Sequence, residues 1–532
     1  MAASFAHLVQ VEIGGVQSYI FDGSRLREWR GASALLDKAE RVEVQHAVTA
    51  LESDVAVLRQ GGGVIVLGVP EAADASTVEN AVVQAYRDAA PGAQVYSAHV
   101  ALPAEAGKEA IQSALSALTF KVERNRGMRL QVDLQADLLG PMARPCDSCG
   151  QRPAETDTEI SDDGRLVCHV CSEKGQYGGT VRRGEAQKSV LDRFRTYVQQ
   201  RAKEGIPSQV SPSDLTSCIP DDLGAIAETG SALALIQADG NSLGKTVQAL
   251  TSLEQYESLA ANIAQAVEEA LFETLAQHGP ENGTLPWEIL FLGGDDILVA
   301  TSDRIALDVA TSLIRRVEER TQQVFQTPPL DDLGRSHLSL GAGIVVADPH
   351  VPIAVLRELA YGLERSAKKR TYRLQNEDED AEVSTIDLHR ITGSGSASIK
   401  HVRTHALKPR RSGTFKGIDL TQRPFTLREL ADIIHVAQSW KEAGLPNNKL
   451  HVLRESLFTS PAEAMRTWTH TVGRASKSHH PAWMQLHRLI SDAAGEKGYE
   501  QPPFAVLPPE DDEEDQNART PLLDVLDVHA LL

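Results

Sequence analysis

The sequence has little of what membrane-spanning, secreted or broadly basic proteins require. No apolar run reaches the length of a membrane span, and the first residues, MAASFAHLVQVEI, contain neither a basic region nor a cleavable apolar stretch. The formal net charge of -20 argues against a basic coat for nucleic acid. Cysteine is scarce: four of the five cysteines form two Cys-x-x-Cys pairs, which indicates metal in a reducing compartment rather than disulfides. We therefore expect a cytoplasmic protein with no membrane partner.

The remaining composition is typical of a soluble globular protein with several domains. Hydrophobic residues make up 42% of the chain and charged residues 24%. Because 532 residues exceed the size of a single hydrophobic core, the chain is expected to divide into several folded regions.

The same order of elements occurs twice along the chain. A strand at 5–13 and a hairpin at Gly61-Gly62-Gly63 belong to a predicted β-α-β-β-α-β order, the ferredoxin-like arrangement. A strand at 232–239 and a hairpin at Gly293-Gly294 repeat that order. The distance from strand end to hairpin is 61 − 13 = 48 residues in the first copy and 293 − 239 = 54 in the second. The spacing supports a duplication without visible sequence identity.

Three carboxylates stand where the second copy turns. Asp239 ends the strand 232–239, and Asp295 and Asp296 follow the hairpin glycines. If the two strands are neighbours, these acids meet at one edge of the sheet, where oxygen ligands suit Mg²⁺ or Mn²⁺ and phosphate chemistry. Asp295 and Asp296 alone would be more typical of a solvated turn, but the whole set favours a metal site.

The first copy lacks these acids. Ile13 and the pair Val64-Ile65 occupy the matching positions. Glu12 is the nearest acid, and strand alternation is expected to turn it to the opposite face from Ile13. We therefore expect the first copy to be catalytically empty and the second to be active.

Four cysteines between the copies have the spacing of a zinc ribbon. Cys146-x-x-Cys149 and Cys168-x-x-Cys171 are separated by eighteen residues, which predicts a tetrahedral four-thiolate site for one structural Zn²⁺. Such a site has no open position for substrate, so its expected role is to stabilise a small module. His169 is expected to be a solvated neighbour, and Cys218 an ordinary thiol.

Two basic stretches after the second copy each allow two interpretations. A helix is predicted at 352–369, and Lys368-Lys369-Arg370 at its end either complement the helix dipole or reach a triphosphate. Residues 401–416 either contact RNA or form a solvated loop. Amphipathic segments from 426 to about 494 predict a helical C-terminal domain.

Together these features resemble the large polymerase-like subunit of type III CRISPR effector complexes, the cyclic-oligoadenylate synthase. The resemblance covers most of the chain and includes, besides the four cysteines, the stretches 13–21, 26–33, 239–244, 293–296 and 423–427. It implies an α+β fold: two ferredoxin-like palm domains (βαββαβ), a zinc-ribbon and helical insert between them, and a helical C-terminal domain. The expected boundaries are 1–140 for a degenerate first palm, 141–228 for the zinc-binding module and helical linker, 229–395 for the second palm with its GGDD active site, 396–500 for the helical domain, and 501–532 for an acidic linker and tail.

The resemblance also implies an activity, a metal-dependent nucleotidyl transfer that converts ATP to cyclic oligoadenylates. Asp239, Asp295 and Asp296 would be catalytic and hold two Mg²⁺ or Mn²⁺ ions. The expected nucleotide-binding residues are Gly240, Asn241, Ser242, Leu243, Gly244, Gly293, Gly294, Lys368 and Lys369. Guide RNA, target RNA and other CRISPR-associated subunits would be partners. Many family members begin with an HD nuclease domain, whereas this chain begins at the palm and has no His-Asp dipeptide, so no DNase activity is expected.

Two other interpretations remain open from the sequence. One is a non-enzymatic scaffold that binds RNA and partner subunits through a vestigial palm; the other is a stand-alone signalling cyclase outside CRISPR. The retained acids argue against the scaffold, because like charges buried without metal are costly. Metal-dependent nucleotide binding distinguishes an enzyme from a scaffold, and neighbouring genes for guide-processing and backbone subunits would identify a CRISPR context.

Overall fold

The chain forms two compact units, Met1–Ser339 and Leu340–Leu532. The computed structural model describes the residues 5–51, 54–70, 74–103, 107–129, 144–155, 164–378, 382–391, 398–403, 407, 415, 417–508 and 517–532. Within these ranges no helix combines the length and the apolarity that crossing a bilayer requires. Most of the basic stretch 401–416 and the acidic run at 510–515 lie outside the described residues.

The first palm has the predicted ferredoxin-like order. Its elements are β1 (His7–Gly14), α1 (Val16–Phe21), α2 (Leu26–Lys38), a π-helical turn (Ala39–Glu43), α3 (Val44–Thr49), β2 (Ala56–Gly61), β3 (Val64–Val69), α4 (Ala75–Ala89), β4 (Gln94–Ala101) and α5 (Lys108–Arg129). The sheet order is β2-β3-β1-β4, with β1 antiparallel to both of its neighbours. Because α4 and α5 also contact β1 and β4, the apolar side chains of the central strand are buried.

A cysteine-containing module and a helical linker follow the first palm. Its helices are α6 (His169–Arg183), α7 (Val190–Lys203), α8 (Asp214–Ser217) and α9 (Leu223–Glu228). The module is attached to the loop after α1 through Asp22, which binds Lys174 Nζ at 2.5 Å and Arg152 Nη1 at 3.0 Å. Lys174 is fully buried, so its charge is balanced by Asp22 at a site without water access.

The second palm begins in the same unit. Its elements there are β5 (Leu233–Gly240), α10 (Leu243–Ala249), α11 (Leu253–Leu275), β6 (Trp287–Gly293), β7 (Asp296–Ser302) and α12 (Asp303–Phe325). Strand β7 is antiparallel to both β5 and β6. Ser252 caps α11 by accepting a hydrogen bond from the Gln255 N–H at 3.1 Å. Helix α12 begins at Asp303, with Ser302 at its N-cap position.

The second unit contains the rest of the described elements. These are β8 (Leu340–Ala347), α13 (Ile353–Glu377), β9 (Thr385–Arg390), α14 (Ile399–His401), β10 (Gly417–Asp419), β11 (Phe425–Thr426), α15 (Leu427–Glu442), α16 (Asn447–Thr459), α17 (Pro461–Gly473), α18 (His480–Ala494), β12 (Tyr499–Gln501), β13 (Phe504–Val506), β14 (Asn517–Arg519) and α19 (Leu522–His529). Strand β8 completes the second β-α-β-β-α-β order in sequence, and it pairs in parallel with β9. The predicted mixed α+β class and the helical C-terminal region are confirmed.

The last segment of the chain is folded into this unit. Asp524 and Asp527 of α19 bind the buried guanidinium of Arg423 at 2.9 and 2.6 Å. The segment 501–532, which the sequence assigned to an acidic linker and tail, thus contains the packed helix Leu522–His529. An arginine with two carboxylates keeps the buried charges paired.

Helix α13 is longer than predicted. It extends to Glu377 rather than ending at Lys369, because the residues 371–377 (TYRLQNE) contain neither glycine nor proline to interrupt it. The stretch Lys368-Lys369-Arg370 therefore lies about two turns before the helix end. The interpretation that these residues complement the dipole at the last turn is wrong.

Candidate functional site

The acidic residues of the second palm are placed by a tight hairpin. Strands β6 and β7 pair Gly293 with Asp296, so that Gly294 and Asp295 form the two-residue loop. Gly294 has a φ of +67°, in the left-handed region that glycine enters without steric cost. Because β7 also pairs with β5, the loop and Asp239 come to the same end of the sheet.

Two of the three acids are in direct contact. The carboxyl groups of Asp239 and Asp295 are hydrogen-bonded to each other. Burial raises the pKa of Asp295 to about 7, and Asp239 acts in the same direction through its charge and its hydrogen bond. A Cβ atom on Gly240 would lie 2.6 Å from Asp295 Oδ2, so only glycine leaves room for this approach. Two such carboxylates repel when both are ionised, and a divalent cation bound by their oxygens relieves the repulsion.

Asp296 does not join this pair. Its Oδ1 accepts a hydrogen bond from Gln237 Nε2 at 2.7 Å, and its Oδ2 accepts one from Gln17 Nε2 at 3.4 Å. Among the described residues, the one set of three or more His, Cys, Asp or Glu ligand atoms within 4.8 Å of one another is the four cysteines. The sequence predicted that three acids come together at one edge of the sheet. In the structure only Asp239 and Asp295 do so, and Asp296 lies beside them, hydrogen-bonded to amide groups.

The loop after β5 is fixed by buried hydrogen bonds. The Asn241 N–H donates to Ser339 O at 2.8 Å, and its Nδ2 donates to Ser339 Oγ at 3.2 Å. Arg335 Nη2 donates to the Asn241 carbonyl at 2.7 Å. Asn241 Oδ1 and Ser242 Oγ are buried and have no hydrogen-bond partner in the described part of the chain. The Asn241 N–H is thus already used, and it is not one of the donors that a phosphate would meet in this loop.

A cleft of about 690 Å³ opens next to Asp295. Residues of both palms line it: Arg59, Gln60, Gly61, Gln112, Leu115, Ser116, Thr119 and Phe120 from the first, and Leu243, Gly244, Val247, Gln248, Tyr256, Leu259, Ala260, Ile263, Ala264, Gly294 and Asp295 from the second. The volume is within the range of small-molecule sites. The apolar and aromatic side chains of the wall suit a flat base, and the carboxylate at one end suits a cation that accompanies a phosphate tail.

The first palm is joined to this cleft by its hairpin and by α5. Gln112 Nε2 donates to the carbonyls of Val247 and Leu250 at 2.9 and 3.0 Å. A Cβ atom on Gly293 would lie 2.5 Å from Gly62 Cα, so the two hairpins touch through bare backbone. The position of the acidic hairpin therefore depends on that of the first-palm hairpin.

A buried carboxyl group supports the first-palm hairpin. Glu40 Oε1 accepts a hydrogen bond from the Gly63 N–H at 2.7 Å, and the Glu40 carbonyl accepts one from Gln60 Nε2. Burial raises the pKa of Glu40 to about 7, and the nearby charge of Asp37 acts in the same direction. Near neutral pH this residue is therefore poised between its protonated and ionised forms.

The first palm offers no carboxylate at the positions equivalent to the acids of the second. Ile13 and Ile65 are buried there, with exposed fractions of 3% and 0%. Glu12 is bound to Arg126 Nη2 at 2.5 Å and accepts a hydrogen bond from Gln10 Nε2 at 3.0 Å. A catalytically empty first palm stays a prediction that these side chains support.

Lys368 and Lys369, predicted to bind nucleotide, belong to the second unit. Lys368 Nζ lies 3.4 Å from Glu364 Oε1, one helical turn earlier, and is largely buried. Lys369 is exposed and lines a different cleft within its own unit. A contact of either lysine with a triphosphate stays a prediction.

The four predicted zinc ligands come together. The sulfur atoms of Cys146, Cys149, Cys168 and Cys171 lie within 4.8 Å of one another, and Cys149 Sγ is 3.9 Å from Cys168 Sγ. A tetrahedral zinc with Zn–S bonds of about 2.3 Å separates its sulfurs by about 3.8 Å, so the thiols present fit one zinc ion. The Cys168 N–H donates to Cys146 Sγ at 3.2 Å, which stabilises a thiolate.

Several residues around the site could not be singled out from the sequence. Gln17 lies within the stretch 13–21 that carries the family resemblance, and this was the one local signal for it. Arg59, Gln112 and Glu40 carry no motif, and they reach the site through contacts between distant parts of the chain.

Comparisons with known proteins support the resemblance. Residues 232–376 match the family model described as Cas10/Cmr2, second palm domain. The fold is similar to that of a Csm1-Csm4 cassette in complex with pppApApA, with a TM-score of 0.50, 12% identity, and coverage of 99% of this chain and 69% of that one. A Csm1-Csm4 cassette in complex with cA4 has a TM-score of 0.47, 13% identity, and coverage of 89% and 65%.

A third similar structure is Csm1 in T.onnurineus, with a TM-score of 0.40, 13% identity, and coverage of 91% of this chain and 64% of that one. The chain thus spans about two thirds of the length of these structures. No curated protein sequence matches the chain.

Proposed function

We propose that this chain, which carries a second palm domain of the Cas10/Cmr2 type, is a metal-dependent nucleotidyltransferase that joins ATP into cyclic oligoadenylates within a type III CRISPR effector complex. The observation that carries the proposal is the contact between the carboxyl groups of Asp239 and Asp295 at the end of a nucleotide-sized cleft. The Csm1-Csm4 cassette of similar fold was solved with pppApApA, a linear oligoadenylate.

The proposed reaction transfers one nucleotide to another. The 3′-oxygen of the first attacks the α-phosphorus of the second, a P–O bond forms, and the α–β phosphoanhydride bond breaks. Pyrophosphate leaves with the bonding electron pair, and the hydroxyl proton passes to solvent. After repeated transfers, the terminal 3′-oxygen attacks the α-phosphorus of the 5′-triphosphate of the same oligonucleotide. This step closes the ring, releases another pyrophosphate and passes the hydroxyl proton to solvent.

The residues of the chain contribute position and charge. Asp239 and Asp295 would hold two Mg²⁺ or Mn²⁺ ions, which when bound lower the pKa of the attacking hydroxyl and offset the triphosphate charge. Asp296, held by Gln237 and Gln17, would fix the orientation of the hairpin rather than bind metal. The apolar side chains of α5 and α11 would exclude water around the base.

The first palm would hold the acceptor nucleotide. Arg59 extends from β2 into the same cleft as Asp295, where its cation would face the phosphates. Lys368 or Lys369 would neutralise the leaving pyrophosphate, and Gly240, Ser242, Leu243, Gly244, Gly293 and Gly294 would let the nucleotide approach the backbone closely. Guide RNA, target RNA and other Csm-type subunits would be partners, and the cysteine cluster would hold one structural zinc.

A product assay tests the proposal. Purified protein, with and without guide complex and target RNA, is incubated with ATP or GTP and Mg²⁺, and the products are analysed by mass spectrometry. The wild type is expected to form cyclic oligoadenylates, and the double variant Asp295→Ala/Asp296→Ala to form none while remaining folded. Asp331→Ala, at an exposed acid in the loop after α12, is the matched control and is expected to retain activity. The assignment would be rejected if the only species detected, under every activating condition, were ATP and its hydrolysis products.

A further inference from the structure

Helix α13 of the second unit presents basic and aromatic side chains to solvent on one face. Tyr361 and Tyr372 are 49% and 40% exposed, although large aromatic side chains are usually buried. Arg365, Lys369 and Arg373 are exposed on the same face, at intervals of four residues, which is about one helical turn. The Arg365 guanidinium lies 5.7 Å from the centre of the Tyr361 ring.

This face is positive although the chain is acidic. The helix, Ile353–Glu377, contains six basic residues and three acidic ones, a net charge of 6 − 3 = +3, while the whole chain has a formal charge of -20. A local excess of positive charge attracts anionic ligands although the chain as a whole is acidic. Tyr361 and Tyr372 are eleven residues apart, which corresponds to on the order of 16 Å along the helix.

A cleft of about 670 Å³ adjoins the same face. Lys369 and Arg373 line it from α13, and Arg519 of β14 lines it from the other side. These three cations have no ion pair within the part of the chain that the structure describes, and Arg519 Nε is buried there without a hydrogen-bond partner. The cleft therefore offers charged donors that the protein itself leaves unused.

The other arginines at the cleft are already neutralised. Arg370 binds Glu429 at 2.6 Å, Arg403 binds Asp387, and Arg423 binds the two acids of α19. Three carboxylates also line the cleft and are exposed to solvent: Glu377, Asp432 and Asp492. These carboxylates repel an anionic ligand, so their removal is expected to increase its affinity.

We infer that this face of α13 and the adjoining cleft bind single-stranded nucleic acid. Aromatic rings interleaved with cations are the usual platform for unpaired bases, because every base stacks on an aromatic ring and every phosphate meets a positive charge. Bases stack on Tyr361 and Tyr372, and the phosphates between them contact Arg365, Lys369 and Arg373. The inference gives a binding surface to the RNA partners of the proposed function and does not depend on catalysis. Lys369 serves this surface, which leaves Lys368 for the leaving pyrophosphate.

Fluorescence anisotropy of the full chain with a labelled ten-nucleotide single-stranded RNA tests this site, with titrations at several salt concentrations. Arg365→Ala/Arg373→Ala is expected to bind at least tenfold more weakly, with a salt slope smaller by about 1.4, because two phosphate contacts are lost. Tyr361→Leu/Tyr372→Leu is expected to lose about fivefold or more through lost stacking. Asp432→Asn/Asp492→Asn is expected to bind more tightly than the wild type.

The control Lys449→Ala/Arg474→Ala removes the same charge at exposed positions on α16 and after α17, and is expected to bind like the wild type. Asp295→Ala is also expected to bind RNA normally, so failure of catalysis and failure of this site are separable. Absence of RNA binding by the wild type, equal binding by all variants, or equally tight binding of an RNA duplex would each overturn the inference. The inference would also be overturned if poly-glutamate displaced the labelled RNA as effectively as unlabelled RNA does, because that result would indicate an acidic protein partner.

Discussion

The guanidinium of Arg30 forms a buried, two-pronged ion pair with Glu288. Arg30 Nε lies 2.8 Å from Glu288 Oε1, and Arg30 Nη2 lies 2.9 Å from Oε2. The two side chains are 4% and 3% exposed. Arg30 belongs to α2 of the first palm, and Glu288 belongs to β6, the strand that leads into the acidic hairpin. The pair therefore fixes the distance between the first palm and the base of that hairpin.

Loss of Arg30 should strongly destabilise the first unit. Arg30→Met leaves the Glu288 carboxylate buried without a partner, and the expected loss is about 3–5 kcal/mol in the free energy of unfolding. The double variant Arg30→Met/Glu288→Met should recover a large part of this loss, because no charge then remains unpaired. Urea unfolding measures both.

Arg182→Met is the control, because Arg182 forms an exposed ion pair with Asp221 and its loss should cost about 1 kcal/mol or less. A double variant as unstable as Arg30→Met would show that the charge pair is not the cause.

The contact between the two glycine hairpins should be sensitive to a single methyl group. Gly293→Ala would place a Cβ atom 2.5 Å from Gly62 Cα, so the acidic hairpin must move. Because displacement of a catalytic group by about 1 Å can cost on the order of a hundredfold in rate, product formation should fall by about that factor.

Gly127→Ala in α5 is the control for this substitution, since nothing lies within 4 Å of the added Cβ atom. Product rates and circular dichroism are measured for both variants. Activity of Gly293→Ala equal to that of the control would contradict a role for the hairpin contact.

The amide groups around Asp296 should matter less than the carboxyl pair but more than a surface contact. Gln17→Leu removes the hydrogen bond from the first palm to Asp296 Oδ2. Because such a bond contributes about 1 kcal/mol, the expected decrease in product formation is about 2- to 10-fold. Asp295→Asn should be far more damaging and should also raise the Mg²⁺ concentration needed for half-maximal activity.

Gln84→Leu removes an exposed hydrogen bond to Asp88 in α4 and serves as the control, with no expected effect. A similar increase in Mg²⁺ requirement for Gln17→Leu and Asp295→Asn would mean that Asp296 is a metal ligand after all.

Stability should depend on pH through Glu40. Burial raises its pKa from 4.5 in the unfolded chain to about 7 in the fold. Between pH 4.5 and pH 7, Glu40 is therefore protonated in the folded state and ionised in the unfolded state. The contribution of protonated Glu40 to stability declines over this range and is lost above about pH 7. Its size is on the order of 3 kcal/mol.

Glu40→Gln keeps an acceptor for the Gly63 N–H but cannot ionise. The unfolding free energies of the wild type and Glu40→Gln are measured at pH 5 and pH 8. In the difference between the two proteins, the contributions of all other titrating groups cancel. Between pH 5 and pH 8 the unfolding free energy of the wild type should fall relative to that of Glu40→Gln. A difference that is the same at both pH values would contradict the buried, pKa-shifted carboxyl group.

Local sequence signals predicted the strands, the hairpin and the cysteine cluster because each depends on neighbouring residues. Glycine at 293 and 294 indicates a tight turn, and the Cys-x-x-Cys spacing indicates a metal knuckle, whatever the rest of the chain does. The partners of Asp296 could not be predicted, since Gln17 and Asp296 are 279 residues apart. The length of α13 was underestimated because a run of basic residues resembles a helix end although no glycine or proline follows it.

The most direct test of the carboxyl pair is a calorimetric titration of ATP into the protein with and without Mn²⁺. The wild type is expected to bind ATP more tightly in the presence of Mn²⁺, and Asp239→Asn/Asp295→Asn is expected to lose that increase while its weaker, metal-free binding persists. An increase of the same size in wild type and variant would contradict the account, because the cations would then be held by other groups.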